Sequence, residues 1–474
     1  MGETQSRRQS AGRGRTGKAI AKPIYNVSVA LSRHILPTPA VFLLDRARMD
    51  NRFAYLFAGL SEDRAIALLE MSSDELDDPS ERYVAASRMS NFPPSDRGIR
   101  ALISAVENTD DSLDNRIVRR KAVETLGRYK AEAARDIIQT CLKDDDCYLV
   151  ENSAWALAEI GCDDPSALAT LAATLAKPGQ SYRAIIQALA KLNYQPAIAP
   201  IEPFATHADP SIASAAIAAI CRLSDDNSRM AEVAAFLQHE NVNARRGCIQ
   251  DLIDTRYYAA TPNLARCPVS VVFRLRAIRQ LAEAGMAETV LAFETDVQPY
   301  LEQVLRDRPA DISFVHAYDR SPSLEYAISE LYSTDFGRCY LASQTLLDRH
   351  AETAGAALLE TYRDRASNDY GAHYHVVKLL GWLRYAPGYD IVVEALNNPT
   401  PQFQKSRAAA AIALGELADD RAIPALHQAL ATDIWELKYA ALLALEQLGD
   451  PSGRDRASDD SDWCVRAKAR SLQD

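Results

Sequence analysis

The chain has 474 residues, 47% of them apolar and 25% charged, a globular composition, and its formal net charge of −11 has the wrong sign for a scaffold that tracks phosphate backbones. No stretch approaches eighteen consecutive apolar residues without charge, so neither a membrane span nor a nucleic-acid partner is expected. The eight cysteines form no C-x-x-C pair and no Cys/His cluster at metal-ligand spacing, which argues against a metal site and predicts small core residues in a reducing compartment, the cytoplasm.

Residues 1–22 carry six Lys or Arg and one Glu, a net +5 that leaves −16 for the rest. Without the apolar run of a secretory signal, this opening reads as a basic disordered tail. The Pro-containing apolar segment after it reads as a cap over the first repeat, the two together spanning 1–44. Residues 52–60 and 61–70 are predicted as a first helical pair with Ser61 as N-cap, followed by helices at 80–90 and 97–107. In 114–161, two amphipathic helices (118–130 and 149–161) flank a shorter one (134–142) and an acidic turn (144–146), which is expected to be solvated and to cap the next helix. Leu126 and Leu157 occupy equivalent places, and the series continues at Leu189, Ile220, Leu252, Leu281, Leu347, Leu380, Leu414 and Leu445. A period in the low thirties with two short helices per unit predicts an all-α protein, an α-solenoid of helical-hairpin repeats with a concave binding face. Small residues beside the markers, such as Ala122, Ala156, Ala188, Ala277, Ala413 and Ala444, allow close stacking.

One marker is missing. It falls near Phe314, where the chain reads DISFVHAYDRSP over 311–322. The organisation is therefore read as regular repeats over 45–285, an irregular joint over 286–335, and repeats with a cap over 336–474, residues 450–461 being loop-like before a last helix at 462–472. A break inside a regular array marks either a functional site or a decayed repeat.

No nucleophile elbow, P-loop or zinc signature is present, so a catalytic reading rests on acid–base side chains. His316, Tyr318, Asp319 and Arg320 form the first cluster, since a Tyr–Asp pair in a turn presents a hydroxyl and a carboxylate together. Alternatively, Asp319 caps a helix starting near Ser323. The second cluster is His375 and Trp382, seven residues apart, with Tyr370, His373 and Tyr374 beside them. The third is Arg116, Arg119 and Arg120 with Tyr148, Glu151 and Trp155, where the arginines either hold carboxylates or form a charge ladder between repeats.

The wording DNRIVRRKAVETLGR and LKDDDCYLVENSAWALAEIG, with RYVAASRMSNFP (82–93) and DNRFAYLFAGLSEDRAIALLE (50–70), resembles the HEAT-like E/F-type phycobilin lyases of cyanobacteria, in particular the phycoerythrin α-subunit lyase-isomerases. The resemblance covers roughly 45–470 and is stronger in the first half. It implies that a cysteine of a phycoerythrin α subunit adds to phycoerythrobilin as a thioether, and that the bilin is isomerised to phycourobilin. The bilin is then substrate, and no cofactor is needed. It further implies Tyr318 and Asp319 as catalytic residues, with Asp319 at the pyrrole N–H groups and Tyr318 relaying protons. Arg116, Arg119, Arg120, Tyr148, Glu151, Trp155, His316, Arg320, His375 and Trp382 would bind substrate, the arginines at the propionates and the tryptophans stacked on the rings. A lyase without isomerase activity, a pigment-removing activity and a non-catalytic helical-repeat adaptor remain as alternatives.

Overall fold

The computed structural model describes residues 59–76 and 78–471. The expectations for 1–44 and for 52–58 lie outside them. All described residues belong to one compact unit, and among them only helices and turns occur.

The array opens with α1 (Glu62–Glu70), α2 (Ser80–Arg88) and α3 (Asp96–Glu107). Its inner helices follow as α4 (Leu113–Tyr129), α6 (Cys147–Ile160), α8 (Tyr182–Lys191), α10 (Pro210–Ser224), α12 (Val242–Asp254) and α14 (Val271–Ala287). Between them lie the shorter α5 (Arg135–Cys141), α7 (Pro165–Ala173), α9 (Ile198–Ile201), α11 (Met230–Ala235) and α13 (Thr261–Arg266). Aspartates recur as N-caps, each accepting from the backbone N–H two residues on: Asp146 for α6 and Asp209 for α10. Asp146 caps as expected but is buried rather than solvated, because two arginines of α4 cover it.

The marker leucines stack these helices. Leu126, Leu157, Leu189, Leu252 and Leu281 are all buried. The residue after a marker matters as much as the one before it. A Cβ on Gly127 would lie 2.8 Å from the Ala156 Cα, and one on Gly381 would lie 2.6 Å from the Ala413 Cα. Contacts that short leave no room for any side chain, so glycine at this register lets adjacent inner helices touch backbone to backbone. All cysteines but Cys147 are buried.

One side chain skips a repeat. Arg183 of α8 passes over the small residues of α10 and pairs with Asp251 of α12 at 2.7 Å, where Gln187 and Ser214 also donate to the carboxylate. The pair is almost fully enclosed, so its Coulomb attraction is little screened.

The chain has no helix from 312 to 323, where the marker is missing. The joint around this stretch is less irregular than expected. It contains a π-helical turn (Phe293–Val297), α15 (Gln298–Arg306) and α16 (Leu324–Glu330). The inner helices then resume as α17 (Phe336–Arg349), α19 (Tyr370–Trp382), α21 (Gln404–Leu417), α23 (Trp435–Gln447) and α25 (Trp463–Ser471). Their outer partners are α18 (Ala351–Asp364), α20 (Tyr389–Asn397), α22 (Ile423–Ala429) and α24 (Ser452–Ala457). The expected loop at 450–461 thus contains a helix, because Gly453 and Ala457 pack against the preceding repeat.

These second-half helices close around α15. Lys378 of α19 donates to the carbonyls of Leu305 (3.2 Å) and Arg306, the negative dipole end of α15. Glu416 of α21 holds Arg308 at 2.6 Å, and Lys468 of α25 holds Glu302 at 2.8 Å. The end of the chain also docks on α14: the Trp463 indole donates to Glu283 at 2.9 Å, and Arg279 pairs with Asp462 at 2.9 Å. α15 and its flanks are thus held by α19, α21 and α25 of the protein's own second half.

Candidate functional site

The structure distributes the sequence candidates over three places. On α4 and α6, Arg119 pairs with Asp144 at 2.8 Å and Arg120 makes a bidentate pair with Asp146 at 2.6 and 2.8 Å. Arg116 reaches Asp146 at 3.7 Å. The Arg120 guanidinium also lies 4.8 Å from the centroid of the exposed Tyr148 ring. These three arginines form the ladder between repeats, so an incoming carboxylate has to compete with Asp144 and Asp146. Glu151 is different: it pairs with no cation among the described residues, accepts from Ser181 at 2.6 Å, and burial raises its pKa. Trp155 is half-buried against Gly127.

The second place is the helix-free stretch. It is pinned at three points. Ser313 bonds the Arg266 carbonyl at 3.0 Å, His316 Nε2 meets Asp335 at 2.8 Å, and His350 Nε2 meets the Pro322 carbonyl at 3.1 Å. Asp335 is itself held by the fully buried Arg245 and caps α17 through the Gly337 N–H. Between these pins sit Tyr318, Asp319 and Arg320. The Tyr318 hydroxyl is enclosed with no hydrogen-bond partner among the described residues, and burial pushes its pKa up to about 12, so it holds its proton. Asp319 and Arg320 are exposed. Asp319 does not cap the next helix; the Ser323 hydroxyl does, accepting from the Tyr326 N–H of α16.

The third place is interior. Asp307, in a left-handed conformation at the end of α15, is fully buried. It is bound by Arg274 and accepts from the hydroxyls of Tyr340 (3.0 Å) and Tyr374. His375 packs among Phe336, Tyr374 and Tyr340 with centroids at 4.7, 5.2 and 5.6 Å, and neither ring nitrogen has a partner among the described residues. It sits in the core rather than on a surface that a ligand reaches. Trp382 is half-buried, with Lys378 Nζ 5.1 Å from its ring.

Burial, with Lys405 as the next cause, depresses His373 to about 4. The unfolded state therefore takes up a proton first as pH falls below the ordinary histidine value. Stability from this group is complete above pH ~6.5 and drains away between ~6.5 and ~4, by up to about 3 kcal/mol. Urea unfolding midpoints at pH 7.5 and 5 are expected to differ less in His373→Phe than in the unaltered chain; equal differences would discard this assignment.

A cleft of about 340 Å³ lies among α11, α13 and Ser313, lined largely by alanines and by no cation, and it contains none of the candidates. No helix among the described residues is long and apolar enough to cross a membrane.

A family model described as HEAT repeats matches residues 99–190 and 389–473. An uncharacterized phycocyanin operon protein Y of Pseudanabaena tenuis is 54% identical over 89% of this chain and 100% of its own length. The bilin biosynthesis protein CpeY of a Synechococcus strain is 33% identical over 80% of this chain and 92% of its own. The chain belongs to the HEAT-repeat E/F-type bilin lyase family. A more distant relative, the phycocyanobilin lyase subunit alpha of a Picosynechococcus strain, is 28% identical over 51% of this chain and 93% of that protein.

In this E/F-type lyase, sequence reasoning missed Asp307, Asp335, Arg245, Lys378 and Lys405. A signal existed for the two lysines. Lys378 lies two residues before the marker Leu380 in an apolar run, and Lys405 precedes an alanine-rich one; a charge at a phase that stacks helices is costly unless something answers it.

Proposed function

We propose that this chain is a bilin lyase that attaches phycoerythrobilin to a cysteine of a phycoerythrin α subunit and isomerises it to phycourobilin. The supporting observation is two consecutive residues of the helix-free stretch: Tyr318, whose enclosed hydroxyl keeps its proton and has no partner among the described residues, and Asp319, which is exposed. Three anchors hold this pair in place, as proton transfer to a bound substrate requires.

In attachment, the acceptor thiolate adds to the ethylidene carbon of ring A. A carbon–sulfur bond forms, the electron pair of the double bond moves into the ring, and a proton follows. The lyase supplies no nucleophile; it orients the tetrapyrrole and excludes the wrong face. Isomerisation draws the double bond from the A–B bridge into ring A, with protons delivered at the bridge and taken from the ring, and no change in composition. Asp319 accepts from the pyrrole N–H groups and Tyr318 passes the proton.

Relatives named for bilin biosynthesis and as a phycocyanobilin lyase subunit support the lyase part. The test is co-production with a phycoerythrobilin pathway and a phycoerythrin α subunit. A blue-shifted urobilin-type spectrum on the denatured subunit is expected. An unshifted phycoerythrobilin spectrum would leave lyase activity only, and a colourless subunit would favour an adaptor.

A further inference from the structure

Next to the pinned stretch, the interior holds an amine that no acceptor answers. Lys405, in the first turn of α21, is 8% exposed, and its Nζ has no hydrogen-bond partner among the described residues. Aromatic rings box it in, with centroids 3.4 Å away at Tyr370, 4.5 Å at Phe336 and 5.3 Å at Tyr374. Ring faces attract a cation but accept none of its three N–H bonds.

Arg246 approaches from α12. Its Nη2 donates to the Thr334 carbonyl at 2.9 Å, two residues before Phe336, and its Nε has no partner. Three carboxylates of this region are already engaged. Asp369 caps α19 through the N–H groups of Gly371 and Ala372. Asp335 is held by Arg245, His316 and Gly337, and Asp307 by Arg274, Tyr340 and Tyr374. Arg246 is near enough to repel the Lys405 amine, and neither cation has an ion-pair partner among the described residues. Tyr370, 47% exposed, lies over the amine.

We propose that Lys405 and Arg246 form an anion subsite that binds one carboxylate of a ligand once Tyr370 swings aside. That the carboxylate is a tetrapyrrole propionate rests on the lyase reading above; the subsite itself does not. Burial holds Lys405 down at about 7, with Arg246 lowering it further, while Cys339, Asp369 and Asp307 act the other way. His373 and His375 also face it, both kept neutral by burial. An incoming carboxylate favours the charged amine and so raises its proton affinity.

The test follows lysine titrations by NMR of the full chain labelled with ¹³Cε-lysine, Lys405→Met assigning the resonance. Without ligand the Lys405 midpoint is expected near 7. Near-saturating sodium propionate should raise the proton affinity about tenfold or more. Free-acid biliverdin should act likewise and biliverdin dimethyl ester should not. Arg246→Gln is expected to weaken the propionate effect several-fold. A midpoint unmoved by propionate and by the free acid, or moved equally by the ester, overturns the subsite. A response to propionate alone keeps the subsite and rejects a tetrapyrrole as its ligand, which separates this inference from the lyase reading.

Discussion

Asp307→Ala is expected to cost on the order of 3–5 kcal/mol, enough to unfold much of the second half of the array. Among the described residues the carboxylate is the one negative group bonded to Arg274, which is itself fully buried. Removing it strands a guanidinium in the core and leaves the hydroxyls of Tyr340 and Tyr374 without their acceptor. The backbone adds to the loss, since φ of 49° at this position is tolerated by aspartate better than by alanine. Asp307→Asn keeps the shape and the tyrosine bonds but not the charge, so it should fall between. Urea unfolding with a far-UV signal reads this directly; a midpoint like that of the unaltered chain would mean that α15 is held without the buried pair.

Asp319→Asn is expected to do the opposite: leave stability within about 0.5 kcal/mol, because the side chain is exposed, and remove most turnover. General acid–base groups contribute roughly 10²–10⁴-fold, and the amide can neither accept nor return a proton. Bilin binding, followed by the absorbance of the complex, should survive, while covalent pigment on the acceptor falls by that factor. Tyr318→Phe should resemble it, as the phenol is the neighbouring proton carrier. Unchanged turnover in Asp319→Asn discards the assignment.

The two variants mark where the sequence was readable. Stacking was readable, because Leu126, Leu157 and their successors recur at a fixed period and small residues beside them report close approach. The interruption was readable for the same reason, as a marker absent near Phe314. What the second-half helices close around was not. The period says which faces meet the next repeat and nothing about a segment packed across several repeats, so α15 looked like part of a joint. The Arg183–Asp251 and Arg274–Asp307 pairs were hidden likewise, since residues 68 and 33 apart carry no local signature of pairing. Arg116, Arg119 and Arg120 were found as a cluster, but composition does not tell an arginine committed to Asp144 or Asp146 from one awaiting a ligand.

The docking of α25 on α14 also bears on how the chain is made. An ordinary repeat array folds as it emerges, each unit settling on the one before it. Here Trp463 meets Glu283 across 180 residues, and Lys468 meets Glu302 across 166. At a synthesis rate of ~5–20 residues per second, Glu283 waits roughly ten to forty seconds for its partner to be translated. During that interval α14 and α15 lack the contacts that α25 supplies, although α19 and α21 already hold the end of α15, so the second half is complete only when its last helix has been made.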